Sequence, residues 1–227
     1  LVLGLALVFG CSDDDDDDTP TDPNGGDDGG IENVGSITGI VFQANGLRLA
    51  DVTVTTGTRT TTTNEDGYFV LTAVAEGTRV VGFARDGYMS TFRVAEVLEG
   101  QATHFGEQNQ VVLVAMETET VDGATGGQVA TNDGDGEVEF AADSFVDGAG
   151  NPYTDEVTVE LNAMLPDDAE FYGTFPGEFA GVREDGTEVP FISYGFMNVQ
   201  LLGADKAPLD LADGSTASLR LTISEEK

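Results

Sequence analysis

One cysteine and one histidine, Cys11 and His104, limit the chemistry this chain can perform. A Ser-His-Asp relay would have to be built on His104, whose neighbours Gln101-Ala102-Thr103 suggest a polar loop with no nucleophile motif beside it. Structural or catalytic zinc needs three or four closely arranged ligands, which one histidine and one distant cysteine do not supply. Paired carboxylates could run glycosidase-type hydrolysis, but among 42 Asp and Glu any spacing arises by chance. Asn132-Asp133-Gly134-Asp135-Gly136-Glu137 alternates oxygen ligands like the start of a calcium loop. It lacks the glycine and the distal bidentate glutamate at EF-hand spacing, so a turn entering a folded unit is preferred and calcium is not favoured. Phe171-Tyr172 and Phe175, flanked by Pro166, Gly173 and Pro176, could stack on a sugar ring or pack beneath their own loop. With no tryptophan and five tyrosines, of which Tyr68 is expected in a hairpin core, such a platform is thin. Neither catalytic residues, nor a metal site, nor a cofactor is expected, and the ligand-binding residues stay open.

Cys11 has a different context. Residues 1–10 are apolar throughout, and Ser12 with six aspartates at 13–18 follows the cysteine directly. A permanent transmembrane helix needs ~20 apolar residues, so this run is too short to span and has the length of a signal-peptide core. Gly10-Cys11 resembles the lipobox of bacterial lipoproteins, which implies cleavage before Cys11 and acylation of its thiol and new amino terminus. The acidic run after it resembles a surface-export signal of diderm bacteria. The resemblance implies an outer-membrane lipoprotein exposed on the cell surface, with the membrane as a partner through Cys11. The missing initiator methionine and basic leader are expected to reflect a sequence clipped at its start.

Charge narrows the partners further. The chain has 42 acidic and 9 basic residues, a net −33. Nine of the acids precede Gly30, so the remaining chain carries 33 acids against all nine bases, a net −24. A field of that sign repels nucleic acid, which is excluded as a partner, and solvation in a salty habitat accounts for it better than calcium does. Residues 19–30 contain no apolar side chain and cannot offset the entropy of ordering. As a flexible acidic tether, 11–35 would span ~25–30 Å, and self-repulsion would lengthen it. With the sole cysteine committed to lipid, no disulfide can form, and any fold must be held by its core.

From Ser36 the apolar period is two, as in Ile37, Gly39, Val41 and then Val52, Val54. This predicts half-buried strands at about 36–43, 51–56, 59–63, 68–74, 79–85, 91–98 and 111–116. Turn chemistry separates them at Asn45-Gly46, Asn64-Glu65-Asp66-Gly67, Glu76-Gly77, Asp86-Gly87 and Glu99-Gly100. Helix signals are absent. Seven short strands of this kind must bury one face of each sheet against another, which predicts a β-sandwich.

The ordered series Gly39-Ile40-Val41, Leu49-Ala50-Asp51-Val52-Thr53-Val54, Thr63-Asn64-Glu65-Asp66-Gly67-Tyr68-Phe69-Val70-Leu71, Val74-Ala75-Glu76-Gly77 and Asp86-Gly87-Tyr88 resembles the carboxypeptidase regulatory-like domain. That resemblance covers about 36–117 and implies a transthyretin-like β-sandwich, grouped with carbohydrate-binding-like folds and non-catalytic. A proline common in the family ahead of Val52 is absent, and Ala75-Glu76 stands where proline is frequent before Gly77. Residues 118–128 are polar and glycine-rich and read as a linker. Beyond it, strands are expected at 136–140, 156–164, 189–194, 197–202 and 218–224. Ala141-Ala142-Asp143-Ser144-Phe145 and Phe175-Pro176-Gly177-Glu178-Phe179 resemble a module that follows the first in envelope lipoproteins.

The expectation is an all-β chain of two tandem β-sandwich domains after a lipoprotein signal and a disordered acidic tether. Its parts are the signal at 1–10, the lipid-anchored linker at 11–35, the sandwiches at 36–117 and 129–227, and the linker between them, with a further segment expected beyond Lys227. The expected role is a non-catalytic binding or structural module at the envelope, with a glycan or envelope protein as partner. The alternative is a carbohydrate-binding accessory in polysaccharide handling.

Overall fold

The computed structural model describes residues 33–106, 110–168, 171–175, 180–190 and 192–222. The chain is all-β, with several packed sheets that do not close into a barrel. The first strands are β1 (Val34–Gln43), β2 (Thr53–Thr56), β3 (Arg59–Thr62), β4 (Tyr68–Ala75), β5 (Gly77–Ala84), β6 (Thr91–Val97), β7 (Ala102–Phe105) and β8 (Val111–Leu113). β1 is the hub: it pairs antiparallel with β4 on one side, and parallel with β7 and then β8 on the other. The facing sheet runs β3-β2-β5-β6.

Alternation in β1 places Ile37 and Val41 at 0% exposure, as the period of two requires. Between the sheets Phe83 packs edge-on against Phe69 at 5.6 Å and Phe105 at 6.0 Å. Each fully buried ring contributes about 2–3 kcal/mol of transfer free energy. The β3–β4 turn is fixed by Asn64, whose Oδ1 accepts from the backbone N–H of Asp66 (3.0 Å) and Tyr68 (2.9 Å). Gly67 follows at φ +68°, where a Cβ would lie 2.7 Å from the Val41 carbonyl oxygen, so no other residue fits. Tyr68, expected in the core, points outward instead: the pleat gives the inward position to Phe69 and leaves Tyr68 40% exposed.

The second set comprises β9 (Glu117–Asp122), β10 (Gly127–Ala130), β11 (Gly136–Phe140), β12 (Phe145–Val146), β13 (Glu156–Met164), the single-turn helix α1 (Phe171–Thr174), β14 (Ala180–Val182), β15 (Glu188–Pro190), β16 (Phe196–Leu202), β17 (Asp210–Leu211) and β18 (Ala217–Leu221). Sheets β16-β13-β9 and β10-β11-β18 enclose a separate apolar cluster built on Val138, Phe140, Phe145, Val157, Val159 and Leu161. Residues 118–128 are therefore no linker. β9 pairs with β13 from Glu117↔Leu161 to Asp122↔Glu156, and β10 pairs with β11. Their polar side chains face solvent while the backbone is held in ladders. The strand expected at 189–194 shrinks to a short hairpin, β14 with β15.

Candidate functional site

Where the two β units meet, several polar side chains converge on backbone carbonyls. β8 runs on into 114–116, which is pinned by Met89 N–H to the Val114 carbonyl (2.9 Å) and Met116 N–H to the Gly87 carbonyl (2.8 Å). Beyond the end of β13, residues 165–168 and 171–175 form a strap, with 171–175 lying across β8. Asp168 opens the strap by accepting the Leu165 N–H at 2.5 Å. Phe171 and Phe175 turn inward, 1% and 9% exposed, and both meet Phe196, at 5.6 and 5.5 Å between ring centroids. A Cβ on Gly173 would lie 3.2 Å from the Val112 side chain, so α1 sits closely on β8.

Arg93 on β6 binds this strap. It is 7% exposed and donates to the carbonyls of Phe92 (2.8 Å), Phe175 (3.0 Å), Gln110 (3.3 Å) and Gly173, and to the Thr91 hydroxyl (3.1 Å). The last carbonyls of a helix have no intrahelical partner, and a guanidinium with five N–H groups can serve several at once. Thr91 adds a hydroxyl bond to the Thr174 carbonyl at 3.4 Å. From the other side Asn162 Nδ2 reaches the Ala115 carbonyl (3.3 Å), while its Oδ1 is buried with no hydrogen-bond partner among the described residues. These donors hold two units together, and none of them is arranged around a nucleophile. No signal but phase points to Arg93 in the sequence: a cation standing at an inward position of β6 between buried Thr91 and Ala95.

The residues singled out in the sequence are scattered. Cys11 and the acidic run lie outside the described residues, as do 176–179. His104 is on a strand, β7, rather than in a loop; its Nδ1 is 3.0 Å from the Thr38 hydroxyl, with no carboxylate in the pair. In the 131–137 turn, Asp133 Oδ1 accepts from the Thr131 hydroxyl (2.6 Å) and the Asp135 N–H (3.0 Å), and these two bonds hold its carboxyl below the usual range. Asp135 is pushed up, first by desolvation and then by the charges of Asp133 and Asp168. The carboxylate of Asp133 thus braces its own turn, through one side-chain hydroxyl and one backbone N–H. Among the described residues no group of three or more His, Cys, Asp or Glu is disposed to hold a metal ion, and no helix is long and apolar enough to cross a membrane. Of the aromatic loop, Phe171 and Phe175 pack inward, and Tyr172 alone turns out, 68% exposed, its ring edge-on to Phe171 at 5.4 Å.

The chain matches no family model. It matches no curated protein either. Among solved structures, the Bacillus anthracis TIE protein aligns over 85% of this chain and 46% of its own length, with a TM-score of 0.32 and 11% identity. This chain therefore spans about half the length of that structure, and a likeness this loose carries no functional argument.

Proposed function

We propose that the chain is a non-catalytic, lipid-anchored module of a bacterial outer membrane, displayed at the cell surface as a binding or structural element. The observation that carries the reading is the step from an apolar run through Gly10 to Cys11 and straight into six aspartates. A thiol placed there is chemically suited to acylation, and an acidic spacer keeps the β units clear of anionic headgroups. The β-rich architecture supports a module that presents surfaces. Its motif series falls on β1, β2 and the β3–β4 hairpin, in keeping with the resemblance to carboxypeptidase regulatory-like domains. The hydrogen bonds of Arg93 tie the two β units together, which suits a spacer or a presenting arm. In bacteria expressing the full-length chain, labelled palmitate is expected on the wild type and to be absent from Cys11→Ser, and protease added to intact cells should shave the wild type. Equal label in both proteins would refute the anchor.

Exposed Tyr172 favours a second reading, direct glycan binding. Tyr194 (66%) and Ile192 (73%) are also exposed, just ahead of the Phe196 against which Phe171 packs. A tyrosine stacked on a sugar ring contributes about 1 kcal/mol, or roughly fivefold in affinity. In affinity electrophoresis through starch, xylan or β-glucan, retardation of the wild type that drops about fivefold in Tyr172→Ala would establish this reading. Migration unaffected by any of the three would remove it.

A further inference from the structure

A cleft of about 390 Å³ opens at the edge of the first β unit, where β3 of one sheet comes against β4 of the other. Its walls are the β2–β3 hairpin tip, the end of β4 and the start of β5. Arg59 and Arg79 both line it, two of only nine basic residues in the chain. Ten residues form the lining and none is acidic, whereas an even scatter of 42 acids over 227 positions would put about two among ten. In a protein with a net −33, a cleft holding two guanidiniums and no carboxylate is a local reversal of sign.

Neither arginine forms an ion pair among the described residues, although Arg48, Lys206 and Arg220 each find Asp66, Asp86 or Glu137. Arg59 is half-buried and its side chain makes no hydrogen bond there. Arg79 is held in place by its own turn: Nε donates to the Ala75 carbonyl at 2.9 Å and an Nη to the Glu76 carbonyl. A guanidinium fixed in this way keeps donors to spare and has already lost its rotamer freedom, so less entropy remains to be lost on binding. Glu96, opposite Thr78 across the sheet, accepts the Thr78 hydroxyl at 2.8 Å and is the carboxylate beside this wall that the two guanidiniums have to outweigh.

The walls are also built to a set shape. Thr56 donates its hydroxyl to the Val80 carbonyl at 2.9 Å and ties the hairpin tip to β5. On β4 the register slips between Gly35 and Ile37 of β1, and Ala73 in the slipped stretch adopts φ +53°. A left-handed alanine costs about 1–2 kcal/mol, and bulges carrying such strain are enriched beside functional sites because they re-aim side chains. Ala73 lines the cleft, and with exposed Val80 it gives the floor an apolar part.

We infer that this cleft binds a small organic oxyanion, a carboxylate or phosphate ester on a compact body of about monosaccharide size, with Arg59 and Arg79 as the anion-recognising pair. The volume lies at the lower end of ligand pockets, roughly 300–1,000 Å³. The chain's overall negative field decays over about 8 Å at physiological salt, so at contact distance the two guanidiniums dominate. The inference does not depend on the lipid anchor or on Tyr172.

The test is calorimetric titration of the whole chain, in about 0.15 M NaCl, with glucuronate, glucose 6-phosphate, glucose and sulfate. Glucuronate or glucose 6-phosphate should bind, and which of them does identifies the oxyanion; glucose should not. Arg59→Gln should bind at least tenfold more weakly with an unchanged melting temperature, since the Arg59 side chain makes no hydrogen bond or ion pair among the described residues and its backbone pairing in β3 is kept, and Arg59→Lys should fall between. Failure of both organic anions to bind, or equal binding by Arg59→Gln, would overturn the inference. Sulfate binding as tightly as either would overturn its organic part.

Discussion

Arg93→Met should cost about 3 kcal/mol, the loss of charged hydrogen bonds to several carbonyls less what water can restore. The methionine keeps most of the apolar stem, so the loss reports on the guanidinium rather than on packing. The carbonyls of Gly173 and Phe175 would be left in a region that Phe171, Phe175 and Phe196 keep dry. For a protein of this size that is roughly 6–12 °C in melting temperature. The wild type should unfold in one transition and Arg93→Met in two, as each β unit has its own apolar cluster. Hydrogen exchange should rise first in 171–175. Arg93→Lys restores charge but not the fork of donors, and should recover less than half of the loss. A variant that melts once, at the wild-type temperature, would show that water serves these carbonyls as well as the arginine does.

The parts of the fold legible in the sequence are those where burial and alternation coincide. Ile37, Val41, Val52 and Val54, with Phe69 and Leu71, show a clean period of two because one face of each strand meets the opposite sheet. The hidden strands have a different physics. β7 buries only Phe105 and is held by parallel pairing to β1, more than sixty residues away, with no hairpin turn to announce it. β9 buries only Val121 within Glu117–Asp122; its order comes from the ladder to β13 and not from its own composition. A polar strand pinned by a distant partner looks like a loop to any local reading. The same holds for sites. Asp133 has the sequence context of a ligand and is a turn-former, while Arg59 and Arg79 are inconspicuous at a spacing of twenty and line one cleft only through the pairing of β2 with β5 and the packing of β3 on β4. The apolar step at Cys11 is the opposite case, legible only in sequence.

The glycine-rich 122–127 stretch is the sharpest example, and Gly126→Ala tests it. Asp122 Oδ1 accepts from the N–H of Ala124 (3.0 Å) and Thr125 (2.8 Å) and from the Thr125 hydroxyl (3.0 Å), closing a tight turn between β9 and β10. Gly126 then takes φ +72°, and a Cβ there would lie 2.3 Å from the Phe140 carbonyl oxygen and 2.6 Å from that of Ala141. Those are backbone atoms at the end of the strand that β10 must pair with, so no rotamer can relieve the clash. Left-handed strain of about 1–2 kcal/mol adds to the displacement of the ladder, and a loss of about 3 kcal/mol or more is expected, with poor refolding yield. Asp122→Ala serves as the contrast because it removes the turn's hydrogen bonds without a clash, and should cost less. Its effect should also depend on pH in a definite direction. The bonds from Thr125 and Ala124 hold the Asp122 carboxyl below its ordinary value, so its stabilisation is present above the unfolded-state pKa and fades as pH falls through the lowered one. The wild type and Asp122→Ala should therefore converge in acid, while Gly126→Ala stays destabilised at every pH. A Gly126→Ala protein that melts with the wild type would mean that 122–127 yields freely, as a linker would.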